Sequence, residues 1–395
     1  MLVLEAKLKG KAEQFELLDE AIRTAQFVRN ACLRYWMDHA NVSRNDLYKY
    51  CKTLADNPDF PWAKKLNSQA RQAHAERAWS AIARFYDNCK KQIPGKKGYP
   101  KFKKQQTRAS VEYKLTGWKL SSDRKSITFT DGFKAGYFKL KGTRDLNFYQ
   151  VEQINRVRVV RRSDGYYAQF LLDVERTEER EPTKRTIGID VGLSHFYTDS
   201  DGNTVENPRH LRRTEKRLKR AQRRASKKVK GSQNRRKAVK RLGKAHLKVQ
   251  RQRRDFAVKT ARCVVKSNDF VALEDLQIRN MVKHRHLAKS ISDAAWDEFC
   301  RWVEYFGKVY GVATVAVAPQ YTSQSCSSCG ETLKKSLSTR THICPCCSHV
   351  QDRDHNAAIN ILKKGLSTLG HTGIKAWGEN DLCLNQATGS GKLAR

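Results

Sequence analysis

The sequence predicts an α/β protein of more than one domain: a small β-barrel interrupted by helices, then an α/β unit with a zinc ribbon inserted in it. Three observations lead there. Over the first 180 residues the apolar spacing runs from alternation to a helical period and back to alternation. Beyond them, short apolar runs, two of which end in a carboxylate, are separated by helical segments. Two Cys-x-x-Cys pairs stand 14 residues apart. The 395 residues suit two or three domains. With 39% hydrophobic residues the chain can bury real cores, which excludes a disordered basic tail.

The first unit reads as follows. Leu2, Leu4, Ala6 and Leu8 alternate as a strand does. From Glu13 the period turns helical, with Ile22, Ala25, Phe27, Val28, Ala31, Leu33 and Trp36 on one face. After a loop with Pro58 and Pro61, Ala70, Ala73, Ala78, Trp79, Ile82, Phe85 and Tyr86 mark a second helix. The connector from Pro94 to Lys104 mixes Lys96, Lys97 and Lys101 with Tyr99 and Phe102. Cations grip phosphates and aromatic rings stack on bases, so Lys96, Lys97, Tyr99 and Lys101 are candidate nucleic-acid contacts. Residues 126–130, 137–140, 157–160 and 166–172 are strand-like, with Ser163-Asp164-Gly165 as a hairpin turn. Strand 1–10 is expected to return to this barrel. The boundaries are 1–10 and 101–180 for the barrel and 11–100 for the helical insertion.

A charged linker, Glu175 to Lys184, leads to the second unit. Ile187-Gly-Ile-Asp190 is a short apolar strand with His195-Phe-Tyr-Thr198 as its hairpin partner, and Asp269-Phe-Val-Ala-Leu-Glu274 and Thr314–Ala318 are further strands. Residues 277–293 are polar and loop-like; Trp296 to Tyr310 is helical; Asp352 to Leu362 begins a helix with acids at its head. This unit is expected at 185–320 and 349–366, the zinc ribbon at 321–348, and a flexible tail at 367–395.

The formal net charge is +38. A compact free protein repels itself at that charge, which makes a polyanion the expected partner. The excess peaks between Arg209 and Arg254, where 22 of 46 residues are Lys or Arg and Glu215 is the lone acid. Leu211, Leu218 and Ala225, then Val239, Leu242, His246 and Val249 after Gly231-Ser232, suggest a helical hairpin over 208–266 with a thin apolar seam and cationic outer faces. A solvated face usually mixes signs and this one does not, so Arg212, Arg213, Arg220, Arg224, Arg235 and Arg236 are candidate phosphate contacts. No run of 18 apolar residues exists and Met1 to Lys11 is too polar for a secretory signal, so neither a membrane nor export is expected.

Of eleven cysteines, Cys32, Cys51, Cys89, Cys263, Cys300 and Cys383 are scattered, as reduced thiols in a cytoplasm are. Cys326, Cys329, Cys344 and Cys347 have the spacing of a tetrahedral, closed, structural zinc site for one Zn²⁺; Cys346 is left out because its neighbours give the x₂ spacing. Asp190, Glu274 and Asp354 stand at the ends of elements. Clustered carboxylates of this kind hold two Mg²⁺ about 4 Å apart for phosphodiester hydrolysis. Each acid alone is more often a turn former or a cap. By spacing alone Asp199, Asp275, Asp293 and Asp352 compete with them.

Ile187-Gly-Ile-Asp-Val-Gly-Leu193, Leu273-Glu-Asp-Leu276, the two Cys-x-x-Cys pairs and Asp352-Arg-Asp-His-Asn-Ala-Ala-Ile-Asn-Ile361 occur in the order typical of TnpB proteins, the transposon relatives of type V CRISPR effectors. The chain resembles that family over residues 1–365, including Gly98-Tyr-Pro-Lys-Phe102, Gly165-Tyr-Tyr-Ala168 and Ser292-Asp-Ala-Ala-Trp296. The resemblance implies an RNase H-like (RuvC) nuclease domain, a β-barrel wedge domain and a helical recognition insertion. It implies Asp190, Glu274 and Asp354 as catalytic residues, ahead of Asp275 and Asp352. It also implies Arg340 near the scissile phosphate and Gln72 where the family reads a short target-adjacent motif. The departure is Cys347-Ser348, where the family usually has Cys-Gly.

The function implied is RNA-guided cleavage of double-stranded DNA, with a guide RNA from the transposon end, in a prokaryotic cytoplasm in association with the nucleoid; the sequence leaves the oligomeric state open, with a monomer favoured. Three alternatives are an RNA-guided repressor lacking the nuclease acids, a DNA-strand transferase, and a general RNA-binding protein with a zinc ribbon. No acid of the motifs is missing; the second alternative requires a joined product; the third leaves the three placed acids as coincidence.

Overall fold

The computed structural model of the chain describes residues 2–104, 109–142, 145–336 and 339–370. It divides into two compact units, Met1–Glu175 and Arg176–Arg395. Residues 371–395, where most of the expected tail falls, lie outside the described residues; 367–370, assigned to that tail from sequence, belong instead to the last helix.

The first unit is an antiparallel sheet with helices inserted after its first strand. β1 is Leu2–Lys9, followed by α1 (Ala12–Asp38), α2 (Arg44–Asp56), α3 (Pro61–Lys65) and α4 (Ser68–Lys90). The remaining strands are β2 (Ser110–Tyr113), β3 (Trp118–Leu120), β4 (Ser126–Phe129), β5 (Gly136–Lys141), β6 (Ile154–Arg162) and β7 (Gly165–Leu172). The order is β2-β6-β7-β1-β5-β4-β3. Strand β1 does return to the sheet, between β7 (Leu2 opposite Leu172) and β5 (Lys7 opposite Lys141). Its alternating Leu2, Leu4, Ala6 and Leu8 face the core. The expected barrel is not closed: β2 and β3 are the edges, with no pairing between them among the described residues. A half-barrel suffices because apolar faces of α1 and α4 share its core, Leu18, Ile22, Val28 and Leu33 packing in one cluster with Val111, Phe129 and Phe170.

The second unit is a three-layer sandwich. Its strands are β8 (Thr186–Val191), β9 (His195–Asp199), β10 (Thr204–Glu206), β11 (Phe270–Glu274) and β12 (Ala313–Val317), in the order β10-β9-β8-β11-β12. The β10-β9-β8 part is antiparallel; β8-β11-β12 is parallel. Between β10 and β11 come α5 (His210–Ser226) and α6 (Gln233–Lys266). Between β11 and β12 come α7 (Ile278–Met281), α8 (Ala288–Ala294) and α9 (Trp296–Tyr310). The two short helices α7 and α8 correct the expectation of a loop over 277–293: their polar composition hides a single buried contact, Ile291 and Ala294. The ribbon hairpin β13 (Thr341–Ile343) and β14 (Val350–Asp352) leads into α10 (Arg353–Gly370). Strand β11 shows why its sequence is a continuous apolar run. Val271 and Leu273 join the core under α6 and α9, while Phe270 and Ala272 join the core under α10.

The seam of the basic hairpin is shifted from the expected one. Leu218 and Ala225 of α5 are buried as expected, but over residues 233–250 of α6 the buried ones are Ala238 and Val249, with Leu242 and Ala245 half-buried between them. Val239 and His246 face outward. Small residues let the helices approach closely, a signal weaker in hydrophobicity than the neighbouring valine.

A carboxylate cluster and a four-cysteine ribbon

Strand register sets Asp190 and Glu274 on adjacent positions, although the oxygens of Asp190, Glu274 and Asp354 do not all lie within 4.8 Å of one another. β8 and β11 are parallel neighbours with Ile189 opposite Leu273, so the next residue on each strand is an acid, at the carboxyl end of both. That end of a parallel sheet is where α/β sites form. The third acid arrives on α10. Asp352 accepts hydrogen bonds from the backbone N–H groups of Asp354 (2.8 Å) and His355 (3.1 Å), so it is the N-cap and Asp354 is left within the first turn. Burial pushes the Asp190 carboxyl well above the usual carboxylate range, and the charges of Glu274 and Asp354 push the same way. Burial likewise raises Glu274, against a hydrogen bond from Thr322 and the charge of Lys364.

Of the competing acids Asp199 and Asp293, like Asp352, have carboxylates engaged elsewhere. Asp199 closes a turn by accepting from the N–H groups of Asp201 (3.0 Å) and Asn203 (2.8 Å). Asp293 accepts from the N–H groups of Leu211 and Arg212 at the start of α5 and pairs with Arg253 at 2.9 Å. The Asp275 N–H donates to Val317 across the sheet edge. Arg340 donates to Asp354 at 3.3 Å, and Arg353 donates to the other carboxylate oxygen of the same residue.

How α10 reaches the sheet explains the motif around Asp354. A Cβ on Gly188 would lie 2.3 Å from the Ala358 carbonyl oxygen, so only glycine lets β8 lie against the helix there. Ala357 and Ala358 are buried, and so is Asn356, whose side chain donates to the Ser325 carbonyl (2.8 Å) and accepts from the Ser327 N–H (2.8 Å). Asn360 donates to the carbonyls of Thr322 (2.9 Å) and Ser325 (2.7 Å). Thr322 is buried, and its hydroxyl donates to Glu274 at 2.5 Å. Sequence reading passed over Thr322, Asn356 and Asn360 as site residues; the signal available was a run of amides at helical spacing directly behind an acid.

The ribbon cysteines meet. One sulfur from each of Cys326, Cys329, Cys344 and Cys347 lies within 4.8 Å of all the others, and theirs is the one such ligand group among the described residues. Exposed Cys346 is not part of it. Both knuckles close alike: Cys326 N–H donates to the Glu331 carbonyl (2.8 Å) and Cys344 N–H to that of His349 (2.9 Å). Burial opposes a thiolate at Cys326, but the N–H groups of Cys329 and Ser328 and the neighbouring thiols bring it down to about 6. Thiolates are what a zinc ion binds. Ser348 occupies the position after the second pair with φ +55°, as Gly330 does after the first with φ +84°. The missing glycine therefore leaves the knuckle geometry intact.

The candidate nucleic-acid residues divide. Arg212, Arg213, Arg220, Arg224 and Arg236 are exposed. Arg220 and Arg224 border a groove of about 590 Å³ between α5 and α6, with Arg241 and Lys248 across an alanine-lined floor. Arg235 is corrected: its Nη1 donates to the Ala225 (3.1 Å) and Lys228 (2.9 Å) carbonyls and so caps α5. Lys96 and Lys101 are exposed, whereas the Lys97 ammonium turns back to the Ile93 carbonyl. The Tyr99 ring packs on Phe85 (5.2 Å) and Trp36 (5.7 Å), which occupies part of the surface expected to stack on bases. Gln72 is half-buried on α4.

Residues 169–285 match the OrfB_IS605 family profile, described as "Probable transposase", and residues 296–361 match the Cas12f1-like TNB domain. A candidate RNA-guided DNA endonuclease of Streptomyces pristinaespiralis is 32% identical over 312 residues, 78% of this chain and 74% of the relative. A second such candidate, InsQ of Escherichia coli K12, is 28% identical over 78% of this chain and 77% of its own. Among solved structures, the Cas12f1-sgRNA-target DNA complex aligns with TM-score 0.52 and 17% identity over 88% of this chain and 82% of that one. The mini-RNA-guided endonuclease CRISPR-Cas_phi3 aligns with TM-score 0.53 and 9% identity over 92% of each. The architecture is thus one shared with RNA-guided effectors of the Cas12f and Cas-phi kinds. The chain belongs to the TnpB family.

Proposed function

We propose that this protein is an RNA-guided, metal-dependent DNA endonuclease whose second unit is an RNase H-like, RuvC-type nuclease domain. The observation that carries the reading is the register that sets Asp190 beside Glu274 at the ends of adjacent parallel strands, with Asp354 near Asp190 in the first turn of α10. The donors are all hard oxygens, and the crowding of negative charge around a half-buried Asp190 is what a divalent cation relieves, so the residues fit Mg²⁺. Asp190, Glu274 and Asp354 would hold two ions. When bound, such ions lower the pKa of the attacking water and stabilise the leaving oxygen. Arg340, which donates to Asp354, would pair with the scissile phosphate once the carboxylate is shared with a cation. Cys326, Cys329, Cys344 and Cys347 would hold one structural Zn²⁺.

The guide is an RNA from the transposon end, and the target is double-stranded DNA beside a short flanking motif. The relatives' names and the charge of +38 support an RNA and DNA partnership, which needs many phosphate contacts. Among the described residues no helix is long and apolar enough to cross a membrane. The setting we infer is the prokaryotic cytoplasm, at the nucleoid.

The test is cleavage by the full chain, purified with the RNA of its own locus and given Mg²⁺ and a plasmid carrying a guide-matched target beside a randomised flank. Wild type is expected to cut in a guide-dependent way and Asp190→Ala to bind without cutting. Guide-dependent binding without cleavage by wild type would instead support a repressor. A complex that binds no matched DNA would overturn the proposal.

A further inference from the structure

The segment between β12 and the first cysteine pair has little regular structure, yet one face of α10 satisfies its backbone. Lys364 donates to the Gln320 carbonyl, Asn360 to those of Thr322 and Ser325, Asn356 to that of Ser325, and Lys363 to that of Ser327. These donors are at helical spacing, so a single stripe of α10 fixes the path of residues 320–327. Asp354 begins that same helix. The one side chain of the segment that reaches a carboxylate of the cluster is Thr322, 3% exposed, with its hydroxyl 2.5 Å from Glu274 Oε1 and 3.0 Å from the Pro319 carbonyl. One hydroxyl proton faces two acceptors, and the shorter, charge-assisted contact places it on the carboxylate.

We propose that Thr322 is the positioning residue of Glu274, and that the stalk of the zinc ribbon thereby sets the geometry of the carboxylate cluster. The inference rests on the reading of Asp190, Glu274 and Asp354 as a cation site. A carboxylate with one oxygen held by a fixed hydroxyl offers its other oxygen in one direction only, which lowers the entropy lost on coordination. Valine keeps the shape of threonine but has no proton to give; serine keeps the proton.

The experiment measures Mn²⁺ binding to the full chain by electron paramagnetic resonance, without nucleic acid, for wild type, Asp190→Ala, Thr322→Val and Thr322→Ser. Zinc content and melting temperature are recorded for each. Loss of a hydrogen-bonding partner of a metal ligand typically weakens binding roughly 10–100-fold, and Thr322→Val is expected in that range at unchanged zinc content. Thr322→Ser is expected to bind like wild type. In cleavage, Thr322→Val should need more Mg²⁺ for half-maximal rate and regain most of the rate at saturation. Wild-type Mn²⁺ affinity in Thr322→Val overturns the inference, as does a Thr322→Ser variant that is as impaired as Thr322→Val. If wild type binds Mn²⁺ no better than Asp190→Ala, the cation-site reading itself fails, and that outcome is distinct because it does not involve Thr322.

Discussion

Ser348 holds a left-handed backbone conformation that a side chain makes costly, about 1–2 kcal/mol for an L-residue. Glycine would remove that cost while adding unfolded-chain entropy of about 0.5–1 kcal/mol. Ser348→Gly is therefore expected to tighten the ribbon by up to about 1 kcal/mol, read as a several-fold higher zinc affinity in a chelator competition; equal or weaker affinity would show that the serine makes a compensating contact. Glu76 presents the opposite case, a charge held by design. Burial alone would raise its carboxyl, but Lys114 and Tyr48 donate to it, the Lys114 and Arg156 charges add to them, and it sits at about 2 against an ordinary 4.5. The folded value is the lower one, so its stabilisation is complete above pH 4.5 and disappears as pH falls toward 2. Discounted for the water that reaches its partly exposed partners, the size is about 1–2 kcal/mol. Glu76→Gln should melt below wild type at pH 6 and the gap should close by pH 2. A gap that persists at pH 2 would trace the loss to packing rather than charge.

At the scale of elements, the hairpin of α5 and α6 shows where pattern reading stops. Val249 is buried between the helices, whereas Val239 and His246 look outward. An acid at 249 would bury an unpaired charge, so Val249→Asp should cost about 2–4 kcal/mol and open the 227–232 turn to protease, while His246→Asp should stay within about 0.5 kcal/mol of wild type. A similar effect of both would restore the seam expected from sequence. The slip came from weighting valine above alanine: Ala238 and Ala245 carry the contact because they are small. Elsewhere the pattern was enough. Alternation in β1 and β6, and the unbroken apolar runs of β8, β11 and β12, were legible because each periodicity reports burial on one face or on two. The openness of the first sheet was not, since no strand sequence says whether its edge will be paired or covered by a helix. The four cysteines could be named from their spacing, whereas Asp190 and Glu274 were only candidates among several acids until the resemblance ranked them. Thr322 could not be named, because its partner lies 48 residues away and a lone threonine in a loop carries no pattern.

For the molecule as a whole, +38 is a quantitative statement about solution behaviour. Each phosphate contact releases counterions, and the logarithm of affinity falls with that of salt concentration by about 0.9 per contact on duplex nucleic acid. Replacing Arg220, Arg224, Arg241 and Lys248 by Gln, four of the six cations bordering the α5–α6 groove, should flatten that slope by about 3.6 if each meets a phosphate. Arg235→Gln should instead lower the melting temperature and leave the slope unchanged, because that guanidinium caps α5. A steep slope retained by the fourfold variant would move the polyanion to another face.

The contact between Gly188 and the backbone of α10 also imposes an order in time. A ribosome makes β8 long before it makes residues 353–370, and until that helix emerges one side of the sheet is bare and Asp354 is absent. If Asp190, Glu274 and Asp354 form the cation site proposed above, a nascent chain whose first unit and cationic hairpin have folded would meet nucleic acid before it could cut it. On that reading synthesis carries its own safety interval: the grip is finished before the blade.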